Sequence, residues 1–152
     1  MKKLIIASIM FVGGVCQAYP YLPNSKMTPG VASNSTLAEI CSKGYPERSR
    51  DVTSSTKSKV YKLYNVDLAK CRGGCKIDHL IPLSIGGAND IGNLWPHEYN
   101  QQWSVYKKTR LEVRLRRDVC AGKRELEQAR QCIASNWTTC YTSVFGTTPP
   151  GK

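Results

Sequence analysis

The apolar positions of this chain fall in short blocks, and their spacing predicts helices towards both ends with one hairpin between them. Thr36-Leu-Ala-Glu39 has the form of a capping box, so a short helix starts there, runs to about residue 43 and stops at Gly44. Residues 43–50 are basic and aperiodic, which reads as irregular chain. Ser54 or Ser55 then caps a second helix, with Val60, Leu63 and Tyr64 on one face and Lys57, Lys59 and Lys62 pointing away. After a loop over 65–76, residues 77–83 read as a strand, 84–92 as a turn-rich connection and 93–95 as a short return strand. Pro96 is expected to end that strand, since proline cannot continue a central ladder. Helical spacing resumes over 101–119, with Leu111, Leu115 and Val119 on one stripe. Lys107, Arg110, Arg114 and Arg117 form another. Gly122 terminates this helix, and residues 125–136 form the last one.

The two ends read differently. Lys2 and Lys3, an apolar run over 4–15 and Cys16-Gln17-Ala18 have the layout of a secretory signal peptide cut after Ala18. The run is too short for a membrane-spanning helix, which needs roughly 20 residues. Residues 19–34, with Pro20, Pro23, Pro29 and Gly30, read as an extended leader, 35–146 as the functional domain and 147–152 as a flexible tail. The expected protein is exported, periplasmic or secreted, and not inserted in a membrane.

Cysteine usage agrees with export. Six cysteines remain after the signal: Cys41, Cys71, Cys75, Cys120, Cys132 and Cys140. An even number in an exported chain favours disulfides over a structural zinc site, and six cysteines allow fifteen pairings. The preferred set joins Cys41 to Cys120, Cys71 to Cys75 and Cys132 to Cys140. The last two are local, and the first ties the N-terminal helix to the end of the long one. Removing Lys2 and Lys3 from a formal net charge of +11 leaves +9, which suits a polyanionic partner.

The chemistry concentrates in residues 76–95, KIDHLIPLSIGGANDIGNLW. An acid beside a histidine, with Asn93 fourteen residues after His79, is a plan for one metal ion and one general base. A histidine can take a proton from water at neutral pH, and a hard divalent cation on oxygen ligands can stabilise a leaving group. Neighbours on a strand point to opposite faces, so Asp78 and His79 share a site only where the backbone bends.

The segment DHLIPLSIGGANDIGNLW resembles the signature of the HNH nucleases, in the order of its Asp-His, Pro-Leu, Gly-Gly, Asn-Asp and Asn-Leu pairs. MTPGVASNSTLAEIC, VCAGK at 119–123 and IASNW at 133–137 resemble an exported bacterial subgroup of that family. The resemblance implies an α+β fold: a ββα-metal core of hairpin plus helix, with flanking helices and disulfides. It implies a metal-dependent endonuclease of low sequence specificity, acting on DNA by preference or on RNA and leaving 5′-phosphate and 3′-hydroxyl ends. His79 matches the general base, Asp78 a metal ligand that a distorted strand turns towards the ion, and Asn93 the residue that orients the base. The ion is expected to be Mg²⁺, with Mn²⁺, Ca²⁺, Ni²⁺ or Zn²⁺ as alternatives.

A further ligand should come from the start of the following helix, eight or nine residues after Asn93, where Gln101 and Gln102 stand. Similar exported proteins often carry a histidine where this chain has Tyr106. His97 and Asn100 are therefore the candidates that complete the site. Lys107, Arg110, Arg114 and Arg117 are candidates for phosphate contact, and Arg50 could also reach substrate. Trp95, Trp103 and Trp137 read as core. Two other readings remain: a catalytically inactive HNH-fold protein that binds DNA, and a cysteine-stapled basic protein that adheres to polyanions.

Overall fold

The computed structural model describes residues 22–67 and 74–148. The signal segment, most of the tail and the expected Cys71–Cys75 pairing, through Cys71, lie outside the described residues. Helices and a two-stranded antiparallel sheet make a mixed fold. Among the described residues no helix is long and apolar enough to cross a membrane.

Helix α1 (Leu37–Cys41) begins at the expected capping box, in which the Thr36 side chain accepts from the Glu39 amide and Glu39 reaches back to the Thr36 amide. It ends earlier than expected because Gly44 does not simply stop it. At φ 72°, Gly44 starts a new turn, α2 (Tyr45–Arg48), where irregular chain was expected. Helix α3 (Ser54–Leu63) is capped by Thr53 rather than by either serine, its hydroxyl accepting from the Thr56 amide. Val60 is buried on the inner face as expected, but Leu63 is exposed, and Tyr61 packs inward with Val60.

Strands β1 (Cys75–His79) and β2 (Leu94–Glu98) form the hairpin, with Asp78 opposite Trp95 and His79 opposite Leu94. Contrary to expectation, β2 runs through Pro96. The Leu80 amide bonds the Asn93 carbonyl. Antiparallel pairs alternate between bonded and non-bonded positions. Pro96, opposite Ile77, therefore falls at a non-bonded position, and its missing N–H is not needed by the ladder.

Helix α4 (Val105–Cys120) starts after Ser104, later than the predicted 101, and ends at Gly122 with φ 67°. Helix α5 (Leu126–Phe145) continues well past residue 136 but breaks there. Asn136 has φ −165° and ψ 101°, and its Oδ1 accepts from the amides of Thr138 and Thr139, so it caps a second helical segment. Disulfides join Cys41 to Cys120 and Cys132 to Cys140, two of the expected pairs, and they suit an oxidising compartment.

The main core packs Ile81 and Ile85 of the hairpin connection against Leu111, Leu115 and Val119 of α4 and Ile133 and Trp137 of α5. Fully burying side chains of this size contributes roughly 1.5–3 kcal/mol each. A smaller cluster of Val60, Ile77 and Leu94 seats α3 on the other face of the hairpin. Residues 22–34 of the segment expected as a leader turn at 25–27 and belong to the domain: Thr28 is fully buried with its hydroxyl on the Leu94 carbonyl, and Ala32 bridges Gly87.

Candidate active site

The hairpin separates the two candidate residues that the sequence sets side by side. β1 keeps a regular ladder through His79, so the strand does not turn Asp78 towards its neighbour. Asp78 faces α4 through Lys108, and His79 faces the connecting loop through Asn89, beside a cavity that α3 helps to line.

The His79 ring is held from the loop. Its Nε2 lies 3.0 Å from Asn89 Oδ1, and Asn89 Nδ2 donates to the Ser49 carbonyl at 2.7 Å. A backbone carbonyl only accepts, so Asn89 must turn its amide nitrogen to Ser49 and its oxygen to His79. Nε2 then carries the proton and Nδ1 keeps its lone pair. Burial pushes the imidazole below the ordinary histidine value, outweighing the Asn89 hydrogen bond and the Asp78 charge, which act the other way. Both effects leave a neutral ring with a free basic nitrogen near pH 7.

A cavity of about 230 Å³ opens on this face, lined by Arg50, Lys57, Tyr61, Lys76, His79 and Tyr99 among others. Arg50 follows directly on Ser49, so the chain that fixes the tautomer also brings a guanidinium to the cavity. Lys76 is partly neutralised, its Nζ lying 3.5 Å from Asp78 Oδ1.

Asn93 is fully buried and does not reach His79. Its Oδ1 accepts from the amides of Ile81 and Val31, and its Nδ2 donates to the carbonyls of Ile81 and Ala88. It staples the loop that follows His79 and so aims the base only indirectly. Gly86, at φ 76°, and Gly87, where a Cβ would overlap the Ile81 carbonyl oxygen, let that loop close on itself.

On the opposite face Asp78 meets two lysine ammonium groups and a histidine. Its Oδ2 is 3.2 Å from His97 Nδ1 and 3.5 Å from Lys108 Nζ. Burial alone would raise the Asp78 carboxyl, but Lys108, the His97 hydrogen bond and Lys76 together hold it well below the ordinary carboxylate range. His97 is fully buried and stacked on Trp95, and its Nε2 meets the Trp103 carbonyl at 2.8 Å. Lys108 is fully buried as well, donating to the His79 carbonyl at 2.5 Å and to Glu112 at 2.6 Å. Burial would depress the Lys108 ammonium, but Asp78 and Glu112 outweigh it and raise it above the ordinary lysine value.

The residues expected to hold a divalent ion do not fit one in this arrangement. Asp78 and His97 meet, but they bond to each other, and both His97 nitrogens are engaged. Asn100 is exposed beyond the end of β2. Among the described residues no three His, Cys, Asp or Glu side chains converge on a common point.

The expected basic stripe stands apart from the cavity. Arg110 lies over the Phe145 ring at 4.6 Å, and Arg114 and Arg117 pair with Asp118. Lys107 is half-buried on the same helix. Trp95 and Trp137 are fully buried and Trp103 packs against the core, as expected.

Reasoning from sequence missed Asn89 and Lys108. Asn89 sits inside the motif, but nothing in the pattern says what it bonds. Lys108 carries a readable signal: it precedes Leu111 by three on the apolar stripe of α4, where a lysine is rarely buried unless paired. Neither a family model, nor a curated protein, nor a solved structure matches this chain.

Proposed function

We propose that this chain is an exported hydrolase of phosphodiester bonds in nucleic acid, DNA by preference, with His79 as its general base. The observation that carries the reading is a tautomer-fixed, neutral histidine beside a cavity with Arg50 and Lys57 on its wall. The resemblance of residues 78–95 to the HNH signature and the order strand, loop, strand, helix support it. A phosphodiester enters the cavity with its anionic oxygens towards Arg50 and Lys57. His79 Nδ1 takes a proton from water as the water oxygen bonds to phosphorus. The bond from phosphorus to the 3′ oxygen breaks, and that oxygen leaves with a proton from solvent. Contacts to phosphate rather than to bases give low sequence preference.

The test is plasmid cleavage by the oxidised protein, in Mg²⁺ and in EDTA, beside His79→Ala. Nicking that His79→Ala loses supports the hydrolase, and intact plasmid in every arm refutes it. The engagement of Asp78 by cations favours a second reading, a binding protein on the same fold. Retarded but uncut DNA, unchanged by His79→Ala, would select that one.

A further inference from the structure

Lys108 is a fully buried ammonium with three protons to give, and three oxygens surround it. The His79 carbonyl lies at 2.5 Å, Glu112 Oε1 at 2.6 Å and Asp78 Oδ2 at 3.5 Å. Two carboxylates and a carbonyl converging between a hairpin and a helix are a donor set that a hard divalent cation would take. The ammonium already stands among them. It is shut off from solvent: it rises from α4 three residues before Leu111, and the side chain is 0% exposed.

We propose that Lys108 is the resident cation of this domain: its ammonium occupies the oxygen cluster of Asp78, Glu112 and the His79 carbonyl, ties α4 to β1, and keeps divalent metal out. The other partners of Asp78 act in the same direction. Lys76 faces its other oxygen and His97 bonds its Oδ2, so both oxygens of Asp78 are already engaged. Replacing Lys108 with a small neutral residue leaves two carboxylates facing one vacated volume. It therefore creates a divalent-cation site that the natural chain lacks.

The measurement is a Mn²⁺ titration of the oxidised protein, with unbound Mn²⁺ counted by its paramagnetic resonance signal, together with melting temperatures in Mn²⁺ and in EDTA. The natural chain leaves Mn²⁺ free and melts at the same temperature in both. Lys108→Ala takes up Mn²⁺, melts higher with it than with EDTA, and loses the uptake when Asp78→Asn is added. Saturable uptake or metal-dependent melting of the natural chain overturns the assignment, and that arm needs no variant to fold. A folded Lys108→Ala that ignores Mn²⁺ overturns it too. None of these readouts depends on hydrolysis, so this assignment and the proposed activity can fail separately. Where both hold, cleavage continues in EDTA.

Discussion

The Asn89 amide nitrogen lies 2.7 Å from the Ser49 carbonyl oxygen, and this contact decides which nitrogen of His79 carries its proton. Asn89→Ala frees the ring to rotate and to change tautomer. Cleavage is expected to fall on the order of tenfold to a hundredfold, part of what a positioned base contributes. Asn89→Asp keeps an acceptor for Nε2 but sets oxygen against the Ser49 carbonyl and adds a negative charge beside the ring. Its rate–pH profile should move to higher pH on the acid side, because an anion stabilises the imidazolium. An unmoved profile in Asn89→Asp would remove Asn89 from this role.

The acid side of stability is expected to fall in two stages. Burial lowers the His79 value in the fold, so between that value and about 6.5 the unfolded chain binds more protons, and stability drops as pH falls through the window. Despite its burial, Asp78 is also depressed, by Lys108, His97 and Lys76. Its contribution is complete above about pH 4 and is lost on further acidification. Urea midpoints measured across this range check both stages. A midpoint that stays level through the histidine window would contradict the first. The proposed cleavage should likewise keep its acid limb below the ordinary histidine value.

Asn93 answers to stability more than to chemistry. Asn93→Ala strands the Ile81 amide and the Ile81 and Ala88 carbonyls in a buried loop. The cost is expected to be about 3 kcal/mol or more, since each unsatisfied buried group costs about 1–3 kcal/mol. Urea denaturation reads this directly. A loss below about 1 kcal/mol would mean that water takes over the bonds, and that Asn93 does not hold the loop.

Nucleic acid affinity separates the cavity from the α4 stripe. Arg50→Ala and Lys57→Ala should each weaken duplex binding and reduce the slope of log affinity against log salt by about 0.9. Arg114→Ala should change it less, because Arg114 already pairs with Asp118 at 2.6 Å. The opposite ranking in a salt titration would move the phosphate path to the helix.

Much of the scaffold was legible in the residues themselves. The capping box at Thr36, the place of the hairpin, the Leu111–Leu115–Val119 stripe and the stop at Gly122 follow from local rules that tertiary contacts did not override, although β1 ends at His79 and a 3-10 turn over Leu83–Ile85 stands where the strand was expected to finish. So did the warning that Asp78 and His79 alternate across the sheet, and the regular ladder of β1 keeps them apart. Pro96 was misread because the rule for central strands says nothing of the non-bonded positions in a two-stranded ladder. Asn136 looked like an end because it is one, but it caps a second segment, and a cap's further partner is invisible without the fold. Partners distant in sequence, such as Asn89 with Ser49 or Lys108 with the His79 carbonyl, leave no periodic trace. That is why the residues that set the site's protonation and charge were the ones missed.

The bond between Cys41 and Cys120 spans 79 positions and closes a covalent ring. Arg50, Lys57, Asp78, His79, Asn89, Asn93 and Lys108 all lie within it. A single proteolytic nick inside the ring, for example in the exposed chain between α2 and α3, leaves both pieces joined. The nicked protein would run as one band until a reductant is added. In an oxidising compartment, where thiols are scarce, the ring turns a cut from a loss of the fold into a new pair of chain ends.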